Sequence, residues 1–392
     1  MKTNENLGFS TKAVHSGEVR YNEYGSITTP IVQTSTFIFK NVEEIRKLPE
    51  GVAGRYEYGR YGHPTQVAAE GKLAALEGAE DAVLFSSGMS AITTSLFALL
   101  QAGHHIIITD DAYKRTLDFC QACLDRFDIE CTVVKMCDYD AMEKAIKPNT
   151  RIFFSESPTN PYLNIMDLER LMNIFRGRDI FVISDSTFAT PYNQKPLEYG
   201  IDIVIHSATK YLGGHNDLLG GVVLGAKELT TPIREYLKIT GGVIDPHPSY
   251  LLIRGLKTFE LRMKRHNESG QQVAEYLESN AKVKRVYYPG LASHPHHDVA
   301  KRQMKGFGGV VTFEVKDDVS YALEFMSRLK IINIGPSLGG VESLITHPAT
   351  ISYYNVPREE RLALGIKDGL IRLAVGVENV EDIINDIDQA LF

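Results

Sequence analysis

The stretch His206-Ser207-Ala208-Thr209-Lys210-Tyr211, downstream of Ser184-Asp185-Ser186-Thr187, decides the fold. A lysine flanked by Ser and Thr can hold pyridoxal 5′-phosphate (PLP) through a Schiff base on its ε-amine. The hydroxyls of Ser207 and Thr209 then stand within reach of the phosphate. Asp185 can pair with the pyridinium nitrogen. A lysine for the covalent link and a carboxylate for the ring nitrogen are the two protein groups this cofactor requires.

Around this stretch short apolar runs alternate with amphipathic ones. Strands are expected at 81–85, 105–109, 131–135, 151–155, 180–184, 202–206 and 221–224, with helices at 65–76, 91–100, 113–127 and 166–175. That alternation argues for an α/β fold with a mostly parallel sheet covered on both faces. Beyond residue 250 the texture becomes α+β: a long helix over 250–279, strands at 284–288, 309–314 and 370–374, and helices at 319–329 and 380–391. Residues 1–60 read as an extended arm, 61–255 as a large domain and 256–392 as a smaller one.

The candidate residues fall in loops after strands, where open α/β sheets place their sites. Ser86-Ser87-Gly88-Met89 precedes a helix, and the amides of Gly88 and Met89 can bind phosphate there. Tyr113 can stack on a flat cofactor or act as acid or base. Asn160, in Glu156-Ser157-Pro158-Thr159-Asn160-Pro161, can bond a ring hydroxyl or the substrate. Arg372, in a late strand, suits a substrate α-carboxylate or an internal ion pair.

The 392 residues carry a net charge of −7 without a basic stripe, which gives no support to a nucleic-acid role. No apolar run is long enough to span a bilayer, and no targeting segment is evident, so a cytoplasmic location is expected. Cys120-Gln121-Ala122-Cys123 has redox or zinc spacing but reads as small buried residues on one helix face. His294-Pro295-His296-His297 reads as a surface loop, so no metal is expected.

These blocks, with Tyr56-Glu57-Tyr58-Gly59-Arg60-Tyr61-Gly62-His63-Pro64, Gly213-Gly214-His215-Asn216-Asp217 and Ser337-Leu338-Gly339-Gly340, resemble the Cys/Met-metabolism family of PLP enzymes, in order over nearly the whole chain. Tyr287-Tyr288-Pro289-Gly290-Leu291 and Gly306-Phe307-Gly308-Gly309 resemble plant-type cystathionine γ-synthases within it. The resemblance implies PLP fold type I, with a mostly parallel seven-stranded sheet sandwiched by helices. It implies a homotetramer with shared active sites, Tyr58 and Arg60 reaching the PLP phosphate of a neighbouring subunit. Lys210 and Tyr113 are then catalytic. Tyr58, Arg60, Ser87, Gly88, Met89, Tyr113, Asn160, Asp185, Thr187, Ser207, Thr209 and Lys210 hold the cofactor. Tyr58, Asn160, Ser337 and Arg372 meet the substrate.

The implied reaction is γ-replacement on an O-phospho-, O-succinyl- or O-acetylhomoserine by a thiol such as L-cysteine, giving L,L-cystathionine. A γ-lyase, a γ-synthase with another nucleophile and a non-catalytic homologue are the alternatives. His63 departs from the family's usual Asn and suggests an altered entrance from the neighbouring subunit. Lys114-Arg115 suggests an anionic leaving group, whereas plant-type enzymes carry a further Arg where Leu117 stands. Pro336 is shared with the plant type.

Overall fold

The computed structural model describes residues 7–47, 55–316 and 318–392. Seven strands form one sheet: β1 (Asp81–Phe85), β2 (His105–Thr109), β3 (Glu130–Val134), β4 (Thr150–Glu156), β5 (Phe181–Asp185), β6 (Ile203–Ser207) and β7 (Gly221–Gly225). Their order is β1-β7-β6-β5-β4-β2-β3. Pairing is parallel from β3 through β6, and β7 runs antiparallel to both of its neighbours.

Alternate residues on each strand enter different cores. Leu84, Ile107, Phe153, Val182, Val204 and Val222 pack on one face. Phe85, Ile106, Ile108, Phe154, Ile183, Ile205 and Val223 pack on the other. The strands are apolar on both faces because helices cover both. Helix Pro64–Glu77 lies against the first set, and helices Gly88–Leu99 and Lys227–Thr240 pack together over the second. The 227–240 helix was hidden in the sequence by Pro232 in its interior.

A second sheet has the order β10-β11-β12-β9-β8, with β8 Arg285–Tyr287, β9 Val310–Glu314, β10 Asn333–Ile334, β11 Leu344–Thr346 and β12 Leu370–Ala374. It packs on helices Phe259–Ser279 and Val380–Ala390.

Several expectations need correction. The single helix expected over 250–279 is two, Pro246–Leu256 and Phe259–Ser279. Gly255 sits so close to the chain at Gly213 that a Cβ would lie 2.3 Å from its carbonyl oxygen. Tyr113–Phe127 is not one α-helix either: an α turn (Lys114–Asp118) passes into a π turn (Phe119–Cys123) and a 3₁₀ turn (Asp125–Phe127). Cys120 is buried while Cys123 is exposed, so the two do not share a buried face. His294 is buried rather than in a surface loop, and its Nε2 stands 3.3 Å from the Tyr162 carbonyl. His296 Nδ1 accepts from the Ile165 amide at 3.1 Å.

The arm carries short helices at Phe9–His15 and Val42–Arg46, the second capped by Asn41. Its Ile27 and Ile38 are each 96% exposed. The parts of the arm at 1–6 and 48–54 lie outside the described residues. No helix among the described residues is long and apolar enough to cross a membrane.

Candidate active site

Strand register assembles the site. Glu156 and Asp185 are partners at the carboxyl ends of β4 and β5. Ser207 ends β6 opposite Gly221, which also faces Phe85 at the end of β1. The loops after these strands open into one cavity of about 570 Å³. Its walls contain Ser87, Gly88, Met89, Tyr113, Asn160, Asp185, Thr187, Ser207, Thr209, Lys210 and Arg372. Ser337 joins them, its hydroxyl 2.8 Å from Lys210 Nζ. Tyr58 and Arg60 are not in this cavity. The Arg60 guanidinium lies over the rings of Tyr58 and Tyr61 and donates to the Lys238 carbonyl of its own chain.

Ser87 caps helix Gly88–Leu99 by accepting from the Ser90 amide at 3.1 Å. Residue 88 must be small: a Cβ there would lie 3.1 Å from that of Ser207. The first-turn amides, the Ser207 hydroxyl and Thr209 thus line a tight cradle suited to phosphate. Thr209 Oγ1 accepts from the Gly220 amide at 3.1 Å.

Thr187 connects the cradle to the carboxylate. Its hydroxyl donates to Asp185 Oδ1 at 2.6 Å and accepts from the Ser207 amide at 2.8 Å. Burial raises the Asp185 pKa, opposed by the Thr187 bonds and by the charge of His206. A pyridinium N–H⁺ would favour the ionised carboxylate. Glu156 is raised well above the carboxylate range by burial and by Asp185, and its Oε2 accepts from the Tyr113 amide at 2.7 Å.

Lys210 is brought down to about 8 by burial and by the Arg372 charge. Arg372 is itself lowered to about 10 by burial. It donates to Asn160 Oδ1 at 3.0 Å and to the carbonyls of Pro336 and Ser337 at 3.0 and 3.2 Å. No carboxylate forms an ion pair with it among the described residues, and its buried Nε has no partner. The internal ion pair is therefore not what the structure holds. That bond orients the Asn160 amide and leaves its NH₂ group free to donate to a cofactor oxygen.

The lysine loop is tied from behind. Arg262, on helix Phe259–Ser279, donates to the Tyr211 carbonyl at 2.7 Å and the Gly255 carbonyl at 2.9 Å. Tyr211 Oη accepts from the Gly309 amide at 3.0 Å.

His63 is the N-cap of helix Pro64–Glu77. Its Nδ1 accepts from the Gln66 amide at 3.1 Å, and Nε2 faces the Ile244 carbonyl at 3.2 Å. Burial lowers its pKa, which favours the neutral ring that this pairing needs. Lys114 and Arg115 do line the cavity, but both pair with Asp118, at 2.9 and 3.1 Å. Phe188, Leu219, Ile351 and Tyr354 complete the walls. They were not foreseen, because single apolar residues in loops or, for Ile351, at the end of a one-turn helix carry no local signal.

A type I sheet with a desolvated lysine, a buried carboxylate and a phosphate cradle defines a PLP-dependent enzyme. The Cys/Met metabolism PLP-dependent enzyme family matches residues 10–392, and the chain belongs to it. It is 47% identical to cystathionine gamma-synthase 1, chloroplastic, of Arabidopsis thaliana over 381 residues, covering 96% of this chain and 68% of that one. It is 46% identical to L-methionine gamma-lyase of Fusobacterium nucleatum subsp. polymorphum, covering 98% of both. The crystal structure of metB from Corynebacterium glutamicum superposes with a TM-score of 0.93 at 38% identity, covering 99% of both chains.

Proposed function

We propose that this enzyme catalyses γ-replacement on an O-activated L-homoserine, with a thiol such as L-cysteine as nucleophile and L,L-cystathionine as product. The observation that carries this reading is the pair Lys114 and Arg115 in the cavity wall beside Tyr113. Two cations there suit an anionic leaving group: phosphate, succinate or acetate. Bound PLP supplies the electron sink that makes proton loss from the substrate carbon chain possible.

The chain's residues do the rest. Arg372 holds the α-carboxylate through its fork and fixes the Cα–H bond for removal. Lys210, with its amine lowered towards neutrality, moves the proton at Cα. Tyr113 takes a proton from the incoming amine. Asp185 holds the pyridinium, and Ser87, Gly88, Met89, Ser207 and Thr209 hold the phosphate. Thr187 positions Asp185, while Asn160 and Ser337 position ring and substrate.

The solvent-facing Ile27 and Ile38 support an arm that packs on a second subunit, with Tyr58 and Arg60 completing that subunit's site in a homotetramer. Residues 1–60, 61–255 and 256–392 are the arm and the two domains of this reading.

γ-Elimination is the second reading. Asp118 neutralises part of the Lys114-Arg115 charge, Leu117 adds none, and a methionine γ-lyase is among the similar proteins. Product identification by mass spectrometry separates the two. The PLP-loaded enzyme is given each homoserine ester with and without cysteine. Cystathionine from one ester supports replacement and names the leaving group. Formation of 2-oxobutyrate alone overturns it in favour of the lyase.

A further inference from the structure

A second cavity, of about 190 Å³, lies away from the lysine. One wall is the segment after the Asp185–Phe188 loop, with Gln194, Lys195 and Glu198. The other is the end of helix His297–Gln303 and its exit, with Arg302 and Lys305. The walls are joined where the Lys305 amide donates to the Asn193 carbonyl at 2.8 Å. The cavity therefore sits between the units built on the two sheets.

Its polar groups are poorly matched as they stand. Three cations face one carboxylate, the exposed Glu198. Arg302 is paired with Asp167. Lys195 and Lys305 have no ion-pair partner among the described residues. Lys195 is half-buried, and its proton is disfavoured by burial and by the charges of Lys12 and Lys305, against Glu198 and Glu77. Gln194 is only 4% exposed, and both its amide oxygen and its amide nitrogen lack a hydrogen-bond partner. Buried amides without partners are uncommon and destabilising. Water could satisfy Gln194 but would leave the lysines repelling each other. An oxyanion answers both, accepting from the Gln194 Nε2 and neutralising Lys195 and Lys305.

We propose that this cavity binds a small oxyanion of phosphate size, separate from the cofactor's phosphate cradle, and that the ion clasps the two sheet units together. The volume supports that size. It is many times the roughly 10–15 Å³ that one water needs on this measure, room for an oxyanion with part of its hydration shell. The proposal does not depend on which reaction the enzyme catalyses.

The test uses PLP-loaded enzyme, whose cradle is already filled, titrated with inorganic phosphate and separately with succinate at constant ionic strength. Calorimetric binding and the thermal midpoint are read. Phosphate is expected to bind at millimolar concentration or below and to raise the midpoint. Lys195→Gln/Lys305→Gln should weaken binding at least about tenfold while keeping the PLP absorbance. Lys114→Gln, in the catalytic cavity, should leave this binding in place. Should the double variant lose its cofactor, Lys305→Glu at an exposed position serves instead, with phosphate binding lost and the phosphate-free midpoint raised. No phosphate effect beyond that of chloride, or an equal effect in the lysine variants, overturns the proposal. Tighter binding of succinate than of phosphate overturns the assignment of phosphate size and names a dicarboxylate site.

Discussion

Replacing Arg372 by lysine keeps the charge and removes the fork. In the native chain three hydrogen bonds, to Asn160 and to the carbonyls of Pro336 and Ser337, aim this guanidinium into the cavity. A lysine ammonium cannot satisfy those acceptors and a bidentate carboxylate together. Two charge-assisted bonds to the α-carboxylate become one at best. Their difference is about 2–3 kcal/mol, roughly a 30- to 150-fold fall in kcat/KM. The assay compares a homoserine ester with its α-amide, which lacks the negative charge. Wild-type enzyme should strongly favour the acid, and Arg372→Lys should lose most of that preference. Urea unfolding separates this from lost packing, with an expected cost of about 1–2 kcal/mol. If acid and amide fall by the same factor, Arg372 does not bind the carboxylate.

The Lys210 amine, lowered to about 8, should react with an acylating reagent in cofactor-free protein with a midpoint near that pH. Because the folded value lies below that of an unfolded lysine, the unfolded state holds the extra proton between the two. Stability of the cofactor-free protein from this group therefore rises with pH from about 8 towards roughly 10.4. A midpoint at the ordinary lysine value would refute the desolvation argument. Gly88→Ala should push Ser207 away from the cradle and weaken PLP retention by about tenfold, or about 1.4 kcal/mol, read by dialysis and absorbance. His63→Asn should retain the cap, whereas His63→Leu should cost about 1–2 kcal/mol in urea unfolding; equal losses would make capping the wrong account. Arg60→Ala should release PLP as the protein is diluted, and full retention at low concentration would remove Arg60 from a neighbouring site.

Where local pattern and burial coincide, the sequence is a good guide. Asp81–Phe85, His105–Thr109 and Leu370–Ala374 are strands with the expected bounds, because turns flank apolar residues covered on both faces. The break between helices at Lys257–Thr258 was illegible, since no proline marks it and Gly255 lies inside the first helix, kept small by its contact with Gly213. That Asp185, Ser207 and Lys210 share one cavity, at two strand ends and the turn after β6, was legible because their motifs are local. The Glu156 bond to the Tyr113 amide was not, since it spans 43 residues. His63 shows a further limit: a departure from a family motif looked functional, yet imidazole Nδ1 caps the helix as an asparagine oxygen does.

The Arg262 tie also restricts which sequences this fold can accept. A Cβ at position 214 would lie 2.0 Å from the Arg262 guanidinium, and Gly214 has a φ of +74°. Any side chain at 214 displaces the arginine; the Tyr211 carbonyl then loses its guanidinium donor, and the Gly255 carbonyl is left with the donors of its own helix end. Shortening Arg262 opens the space but leaves position 214 in backbone geometry that few residues adopt. The constraint runs one way: arginine at 262 requires Gly214, whereas Gly214 is required by its own backbone whatever stands at 262, so across related chains the arginine should vary only where the glycine stays.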